Sequence, residues 1–265
     1  MRKRSVQWTV AIVLTLVSAV WQRWSGPTYP AMGRVVLAGE SVGYKLLRTN
    51  SIQERQPVAV AVANPAVTGV VEWRHYPTRE PWRTLPMARH GATLDAELPP
   101  APEPLMPMAG KLEYRVRLSA GGEEVVIPPT PAVTRFKGDV PAWILLPHVA
   151  AMFFGMLFAT RAALAAVFGG PTRFAGFMAV GLLVFGGFGL GPVVQKLAFG
   201  AFWTGIPWGY DLTDNKTLIA VAAWVPAAAQ LFRRQDARLM IVLAAVVTMT
   251  VFAIPHSVWG SEAKW

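Results

Sequence analysis

The 265-residue chain is 53% hydrophobic and 15% charged, with positive mean hydropathy, whereas soluble domains carry about 25% charged residues. This composition argues against an ordinary soluble protein and indicates a membrane protein with room for one soluble domain and a helical bundle. The net charge of +10 does not indicate nucleic-acid binding, because the basic residues lie at the ends of apolar runs instead of forming one stripe.

The first predicted element is a membrane anchor helix over residues 1–24. Met1–Arg4 is basic, and Val6–Val20 is an apolar run without charge. The pattern is typical of a secretory signal, but no small-x-small cleavage site follows it convincingly. We therefore expect the segment to be retained as the first membrane span.

Residues 30–139 are predicted to form a β-sandwich, because continuous apolar runs give way to alternation. Between Lys111 and Leu118, charged and apolar residues alternate with the period of a strand that buries one face. Proline and glycine separate about seven such segments, as in sandwich domains. The predicted strands are Val35–Leu37, Val42–Leu47, Val58–Val62, Val70–Tyr76, Thr93–Leu98, Lys111–Leu118 and Glu123–Ile127.

Several short motifs of this region occur in a characteristic order. A tryptophan-bearing strand, Glu72–Arg74, precedes a Pro81–Trp82 pair, a strand that ends in Leu98–Pro99, and the segment Lys111–Val116. In this order they resemble a fibronectin type III or immunoglobulin-like module. The resemblance implies an all-β extracytoplasmic domain that binds or spaces and seldom catalyses.

After Pro141 the chain is predominantly apolar, and four more membrane spans are predicted. They cover about 142–168, 174–195, 214–232 and 238–255, close to the roughly 20 helical residues that a hydrocarbon core requires. The predicted fold class is therefore a five-span α-helical membrane bundle with an inserted all-β sandwich.

Basic residues in the short loops predict the orientation. One set of loops carries arginines that match the basic amino end, and the opposite set carries lysines only. We therefore expect a bacterial inner-membrane protein with a cytoplasmic amino terminus and a periplasmic β-domain and carboxyl terminus. The arginines are Arg161, Arg173, Arg233, Arg234 and Arg238, and the lysines are Lys196, Lys216 and Lys264.

The third span is rich in glycine, including Gly187 and Gly191. Such smooth faces permit close helix contacts, either within the bundle or against another subunit. Both glycines are candidates for a partner interface.

Residues 198–213 are too aromatic for a loop in water. The segment is predicted to lie in the interfacial belt of the membrane or to fold back into the bundle. Its aromatic rings are also candidates for contacts with a partner: Phe199, Phe202, Trp203, Trp208 and Tyr210.

Two histidines and three acids are predicted to converge on the periplasmic face: His148, Asp211, Asp214, His256 and Glu262. In one interpretation they serve structure only, with Thr213 or Asp214 capping the fourth span and Lys216 pairing with an acid. In a second interpretation they bind a divalent metal such as zinc or iron. His148 and His256 could also be axial ligands of a b-type haem, and quinone, pigment or proton-relay roles stay open.

Two motifs in the carboxyl-terminal half, Trp203–Thr217 and Ile254–Glu262, resemble a group of uncharacterised bacterial inner-membrane proteins with this same layout. The resemblance spans nearly the whole chain. It implies the architecture and no known activity.

The sequence favours a non-catalytic accessory subunit. Catalytic motifs for hydrolases, nucleotide binding and metalloproteases are absent from it. The lack of cysteine excludes disulfides, thiol nucleophiles and covalently attached c-type haem, and five spans without a visible repeat argue against a transporter. We expect a subunit that stabilises a photosynthetic reaction-centre or respiratory complex through contacts with other membrane subunits and lipid; contacts with bound pigment are an open alternative. The alternative is a membrane redox protein that uses the periplasmic cluster.

Overall fold

The computed structural model describes residues 2–100 and 110–255 of the chain. Contacts between residues divide the chain into two compact units. Among the described residues, the helical unit contains 2–26, 140–197 and 201–255, and the β-unit contains 27–100, 110–139 and 198–200.

The core of the helical unit consists mainly of alanine with a few large side chains, because small residues let helices approach closely. At its centre Trp224 is 1% exposed and donates its indole N–H to Thr248 Oγ1 at 3.0 Å. A π-helical segment, Phe185–Leu190, joins the third and fourth helices into one continuous rod. The helices are α1 (Arg2–Ser25), α2 (Ala142–Phe168), α3 (Arg173–Val184), α4 (Gly191–Phe199), α5 (Leu212–Phe232) and α6 (Arg238–Ala253).

Within the described residues, three helices are long and apolar enough to cross a membrane: Arg4–Ser25, Ala142–Phe168 and Arg173–Phe199. The predicted count of five is therefore not supported. Helix α6 has 16 residues, which rise about 24 Å against a hydrocarbon core of about 30 Å. Helix α5 has 21 residues, but polar side chains occupy its first turn and shorten its apolar part.

The β-unit contains two five-stranded sheets with a shared hydrophobic core. The first sheet has the order β1-β2-β4-β8-β7, and the second has the order β3-β10-β9-β5-β6. The strands are β1 (Ala31–Leu37), β2 (Glu40–Leu46), β3 (Thr49–Ser51), β4 (Gln56–Ala61), β5 (Thr68–His75), β6 (Arg83–Pro86), β7 (Ala88–His90), β8 (Thr93–Leu98), β9 (Lys111–Ala120) and β10 (Glu123–Lys137).

Each predicted strand overlaps an observed one, and the differences occur where the alternating pattern is short or interrupted. Strands β3, β6 and β7 have only three or four residues each, too few for a period to show. Strand β10 continues ten residues beyond the predicted end at Ile127. Its pairing with β9 is interrupted between Ile127 and Ala132, where three prolines lack the N–H groups that a ladder needs.

Candidate functional site

The amino end of α5 is fastened to the loop before it by acidic side chains. Asp211, 7% exposed, is the N-cap residue, and its Oδ1 accepts hydrogen bonds from the backbone N–H groups of Thr213 (2.8 Å) and Asp214 (3.2 Å). These N–H groups have no partner inside the helix, so the cap stabilises its first turn. The cap was expected at Thr213 or Asp214, and the structure corrects it to Asp211.

The carboxylate of Asp214, 6% exposed, organises the loop itself. Its Oδ2 accepts from the backbone N–H of Thr204 at 2.6 Å, the backbone N–H of Gly205 at 3.0 Å and Gln195 Nε2 at 2.9 Å. A Cβ on Gly205 would lie 2.7 Å from the Asp214 Cβ, so only glycine fits this approach. The carboxylate is thus engaged by three donors at short range.

The next two residues continue the same role. Asn215 Oδ1 accepts from the backbone N–H of Ile206 at 2.8 Å. Lys216, 2% exposed, donates from Nζ to the carbonyl oxygens of Ile254 at 2.7 Å and Pro255 at 3.2 Å. The polar Asp-Asn-Lys sequence therefore holds the loop on one side and the carboxyl end of α6 on the other.

His148 lies in α2 and contacts the π-helical segment. Its Nδ1 is 2.9 Å from the carbonyl oxygen of Gly186, which also accepts the backbone N–H of Gly191. Because a carbonyl can only accept, Nδ1 carries the hydrogen and a neutral His148 keeps the lone pair on Nε2. Histidine with one nitrogen fixed in this way is oriented for a second interaction.

A cavity of about 170 Å³ lies beside His148 within the helical unit. Cofactor pockets usually enclose about 300–1,000 Å³, so this cavity suits a small molecule or waters better than a haem. Its polar lining is Gln22, His148, Thr213 and Thr217, and its apolar lining is Val149, Met152, Phe153, Met156 and Phe252.

The predicted metal cluster is only partly within the described residues. His256 and Glu262 lie outside them. In the part of the chain that the structure describes, no three histidines or acids come together in a way that could hold a metal ion. Asp211 and Asp214 are bonded to backbone N–H groups, and the five-residue site stays a prediction.

The aromatic residues of the loop divide into a packed and an exposed set. Trp203 stacks on Phe188 with ring centroids 5.5 Å apart and donates its indole N–H to the carbonyl of Ile206 at 3.1 Å. Trp208 and Tyr210 are 80% and 90% exposed. Two further rings complete the predicted interface: Phe202, which is exposed near Lys196, and Phe199, which ends α4.

The two glycines predicted for the same interface have different surroundings. A Cβ on Gly187 would lie 2.4 Å from Thr217 Cγ2, so this buried position packs against α5 of the same chain. Its assignment to a partner interface is therefore corrected to packing within the bundle. Gly191 is half-buried beside His148, whose Cε1 would be 3.7 Å from an added Cβ.

One basic residue that was counted among the loop arginines lies well inside a helix. Arg161 falls within the predicted span of about 142–168, and in the structure it belongs to α2, seven residues before the helix ends, and is 4% exposed. The available signal was the arginine itself within an otherwise apolar stretch, because buried charges in membrane helices commonly mark functional sites.

Comparisons with protein-family models, with curated proteins and with solved structures found no match. Both resemblances noted in the sequence therefore stay predictions.

Proposed function

We propose that the protein is a non-catalytic accessory subunit that stabilises a multi-subunit bioenergetic complex, of the photosynthetic reaction-centre or respiratory type, in a bacterial inner membrane. One observation carries the proposal: the loop before α5 presents exposed Trp208 and Tyr210 while its polar neighbours fasten it internally. Rigid aromatic side chains in a preorganised segment are favourable anchors for protein contacts.

The membrane arrangement that we propose includes all five predicted spans. Helix α5 packs on α3 and α6, and α6 packs on α2, so the two less apolar helices belong to the same bundle as the candidate spans. The arginine-rich loops support a cytoplasmic amino terminus, with the fibronectin-like β-unit in the periplasm.

The engagement of the two aspartates also favours a structural role. A general acid or base must exchange a proton with a substrate. Asp211 and Asp214 accept hydrogen bonds from backbone N–H groups. Loss of these hydrogen bonds would disrupt the loop. Their chemistry is better suited to shaping a surface than to proton transfer.

The test is purification of the full chain from its native membrane in mild detergent, followed by mass spectrometry of bound proteins. The wild type should carry stoichiometric partner subunits, and the double variant Trp208→Ala with Tyr210→Ala should lose most of them. The matched control is Phe168→Ala, which removes an exposed ring at the carboxyl end of α2. This variant should retain the partners. A wild-type chain that is monodisperse and alone would contradict the proposal.

A second candidate function is ligand binding at His148, with a redox or metal role. It is favoured by the fixed Nδ1, the lone pair left on Nε2 and the adjacent cavity. Metal analysis and a visible spectrum of the purified wild type test it, with His148→Gln as the comparison. A colourless, metal-free wild type would rule out the haem and metal forms of this candidate.

A further inference from the structure

The end of the helical unit where α1 begins and α2 ends contains a buried arginine, two of whose guanidinium nitrogens have no acceptor among the described residues. Arg161 is 4% exposed, and its Nε and Nη1 atoms have no hydrogen-bond partner among the described residues. Its guanidinium lies over the Trp8 ring, 5.4 Å from the centroid. A ring face attracts a cation but accepts no conventional hydrogen bond, so the two nitrogens stay unsatisfied.

The surroundings of Arg161 increase the positive potential. Arg4 precedes Trp8 by one helical turn of α1 and therefore lies on the same face of that helix, where its exposed positive charge acts unfavourably on that of Arg161. Two like charges at a partly buried site are stabilised when an anion binds between or beside them. This end of the bundle therefore favours an anionic ligand.

A second unsatisfied atom lies at the same end. Gln7, 5% exposed, donates from Nε2 to the carbonyl oxygens of Gly169 at 3.2 Å and Leu164 at 3.4 Å, while its Oε1 has no partner among the described residues. The same end of the bundle thus holds guanidinium donors and one amide acceptor that have no partner among the described residues. A group with both a phosphate and a hydroxyl would satisfy both.

The depth of the site matches a lipid headgroup. Helix α2 has 27 residues and a length of about 40 Å, roughly 10 Å more than a hydrocarbon core. Arg161 lies seven residues, about 10 Å, before the end of that helix, and Arg4 begins the apolar span of α1. Arginine and tryptophan are typical of this interfacial layer.

An apolar cleft lies between the same two helices, on the side of the cationic site that faces the middle of the bundle. It has a volume of about 440 Å³ and lies between Ile12–Ala19 of α1 and Phe153–Leu157 of α2. Ile12 follows Trp8 by one helical turn, and Leu157 precedes Arg161 by one turn. The cleft therefore begins about one turn from Arg161 and about two turns from Arg4, and it continues toward the middle of the membrane.

From these two features we infer a binding site for an anionic glycerophospholipid. Its phosphate binds to Arg161 and Arg4, a glycerol headgroup hydroxyl donates to Gln7 Oε1, and one acyl chain occupies the cleft between α1 and α2. Lipid explains both the charge and the cleft, whereas free phosphate explains the charge alone. The inference rests on the membrane placement of α1 and α2 and is independent of the proposed partner surface.

The test uses the delipidated full chain in detergent. Thermal unfolding and native mass spectrometry are measured with phosphatidylglycerol, with phosphatidylcholine of identical acyl chains, and with inorganic phosphate. Phosphatidylglycerol should raise the unfolding midpoint and give a discrete one-lipid adduct, at an affinity about tenfold or more above that of phosphatidylcholine. Equal effects of the two lipids would overturn the anionic site, and equal stabilisation by inorganic phosphate would overturn the lipid as its source.

Variants separate the headgroup from the chain. Arg161→Gln should lower phosphatidylglycerol affinity about tenfold. Leu157→Trp, which fills the cleft, should weaken binding of both lipids. Arg233→Gln, an exposed basic residue at the end of α5, should leave the affinities unchanged.

A folding defect in Arg161→Gln would not leave the inference untested. Arg4 is exposed, so Arg4→Gln should fold normally and still lower phosphatidylglycerol affinity several-fold. Unchanged affinity in a folded Arg4→Gln, or in a folded Arg161→Gln, would overturn the site. Because lipid adducts and protein partners are counted separately, failure here is distinguishable from failure of the proposed function.

Discussion

The two units of the molecule satisfy their buried charges in different ways. On the second sheet of the β-unit, the Glu72 side chain is 8% exposed and accepts from Arg115 Nε at 2.5 Å and Arg117 Nη2 at 2.6 Å. In the helical unit, Asp214 and Lys216 bond mainly to backbone groups, and Arg161 has two nitrogens without a partner among the described residues.

The difference follows from the geometry of the elements. Neighbouring strands bring side chains of opposite charge face to face, so a sheet can pair its charges across strands. Helices leave unpaired N–H and C=O groups at their ends, and polar side chains there bond to those groups. Arg161 lies seven residues inside α2, away from the free groups at the helix end. No acid among the described residues accepts a hydrogen bond from it, which is why an external anion is inferred.

The largest effect is expected from Asp214→Leu. The change leaves the backbone N–H groups of Thr204 and Gly205 without their acceptor and removes one of the two acceptors of the Gln195 amide, at a cost of about 3 kcal/mol in the free energy of unfolding. Thermal unfolding of the full chain in detergent measures it, together with the rate of proteolysis in the loop before α5. Asp236→Leu, at an exposed aspartate before α6, is the control and should cost clearly less. Equal costs would mean that the Asp214 contacts do not stabilise the loop.

A smaller effect is expected from Glu72→Gln, which should lower the free energy of unfolding by about 1–2 kcal/mol. The cost is moderate because Arg115 and Arg117 are partly solvated, so water replaces part of the interaction that they lose. Burial alone would raise the pKa of the Glu72 carboxyl, but the hydrogen bonds and charges of the two arginines lower it below its usual value.

The pH dependence of this difference has a definite sign. A lowered folded pKa means that the ionised carboxylate stabilises the β-unit above the unfolded pKa of about 4.3. The stabilisation is lost as pH falls from there through the lower, folded pKa. The wild type should therefore exceed Glu72→Gln in stability at pH 7 and approach it at about pH 3. A difference independent of pH would show that charge pairing is not its cause.

Close packing inside the bundle predicts that Gly187→Ala lowers the free energy of unfolding by about 1–2 kcal/mol, because the added methyl would overlap Thr217 Cγ2. Thr217→Ser removes the opposing methyl, so the double variant should recover most of the loss. The measurement is a double-variant cycle of unfolding free energies in detergent. If Thr217→Ser gives no recovery, Gly187 does not pack against this helix.

The smallest effect is expected from Arg161→Met in lipid-free detergent. Its free energy of unfolding should lie within about 0.5 kcal/mol of the wild-type value or slightly above it. An unpaired buried cation adds no favourable ion pair to the folded state, so its replacement by an apolar side chain of similar length removes little stability. A loss above about 3 kcal/mol, of the size seen when a buried pair is broken, would show that the guanidinium has an acceptor within the protein. The contrast with Glu72 would then disappear.

Some elements could be predicted from the residues alone, because their patterns are local. Alternation between Lys111 and Leu118 identified a strand that the structure extends only to Ala120. The apolar run from Ala142 identified α2 with the bounds later observed. The count of five spans finds support for three among the described residues, because a hydropathy pattern did not register how early α6 ends or how polar the first turn of α5 is.

The candidate site was less accessible to sequence reasoning. The motif from Trp203 to Thr217 was recognised as unusual, but its acids could equally have bound a metal or capped a helix. The choice depends on which N–H groups face each carboxylate, and those come from residues up to 19 positions away.

By itself, the sequence determined that the protein has an apolar helical part and an alternating β part, because hydrophobic period and run length are properties of neighbouring residues. The tertiary structure alone decided that Asp211 caps α5, that Gly187 packs against Thr217, and that Arg161 is buried without an acceptor among the described residues. Each of these depends on the approach of segments distant in the chain, and a local pattern carries no information about that approach.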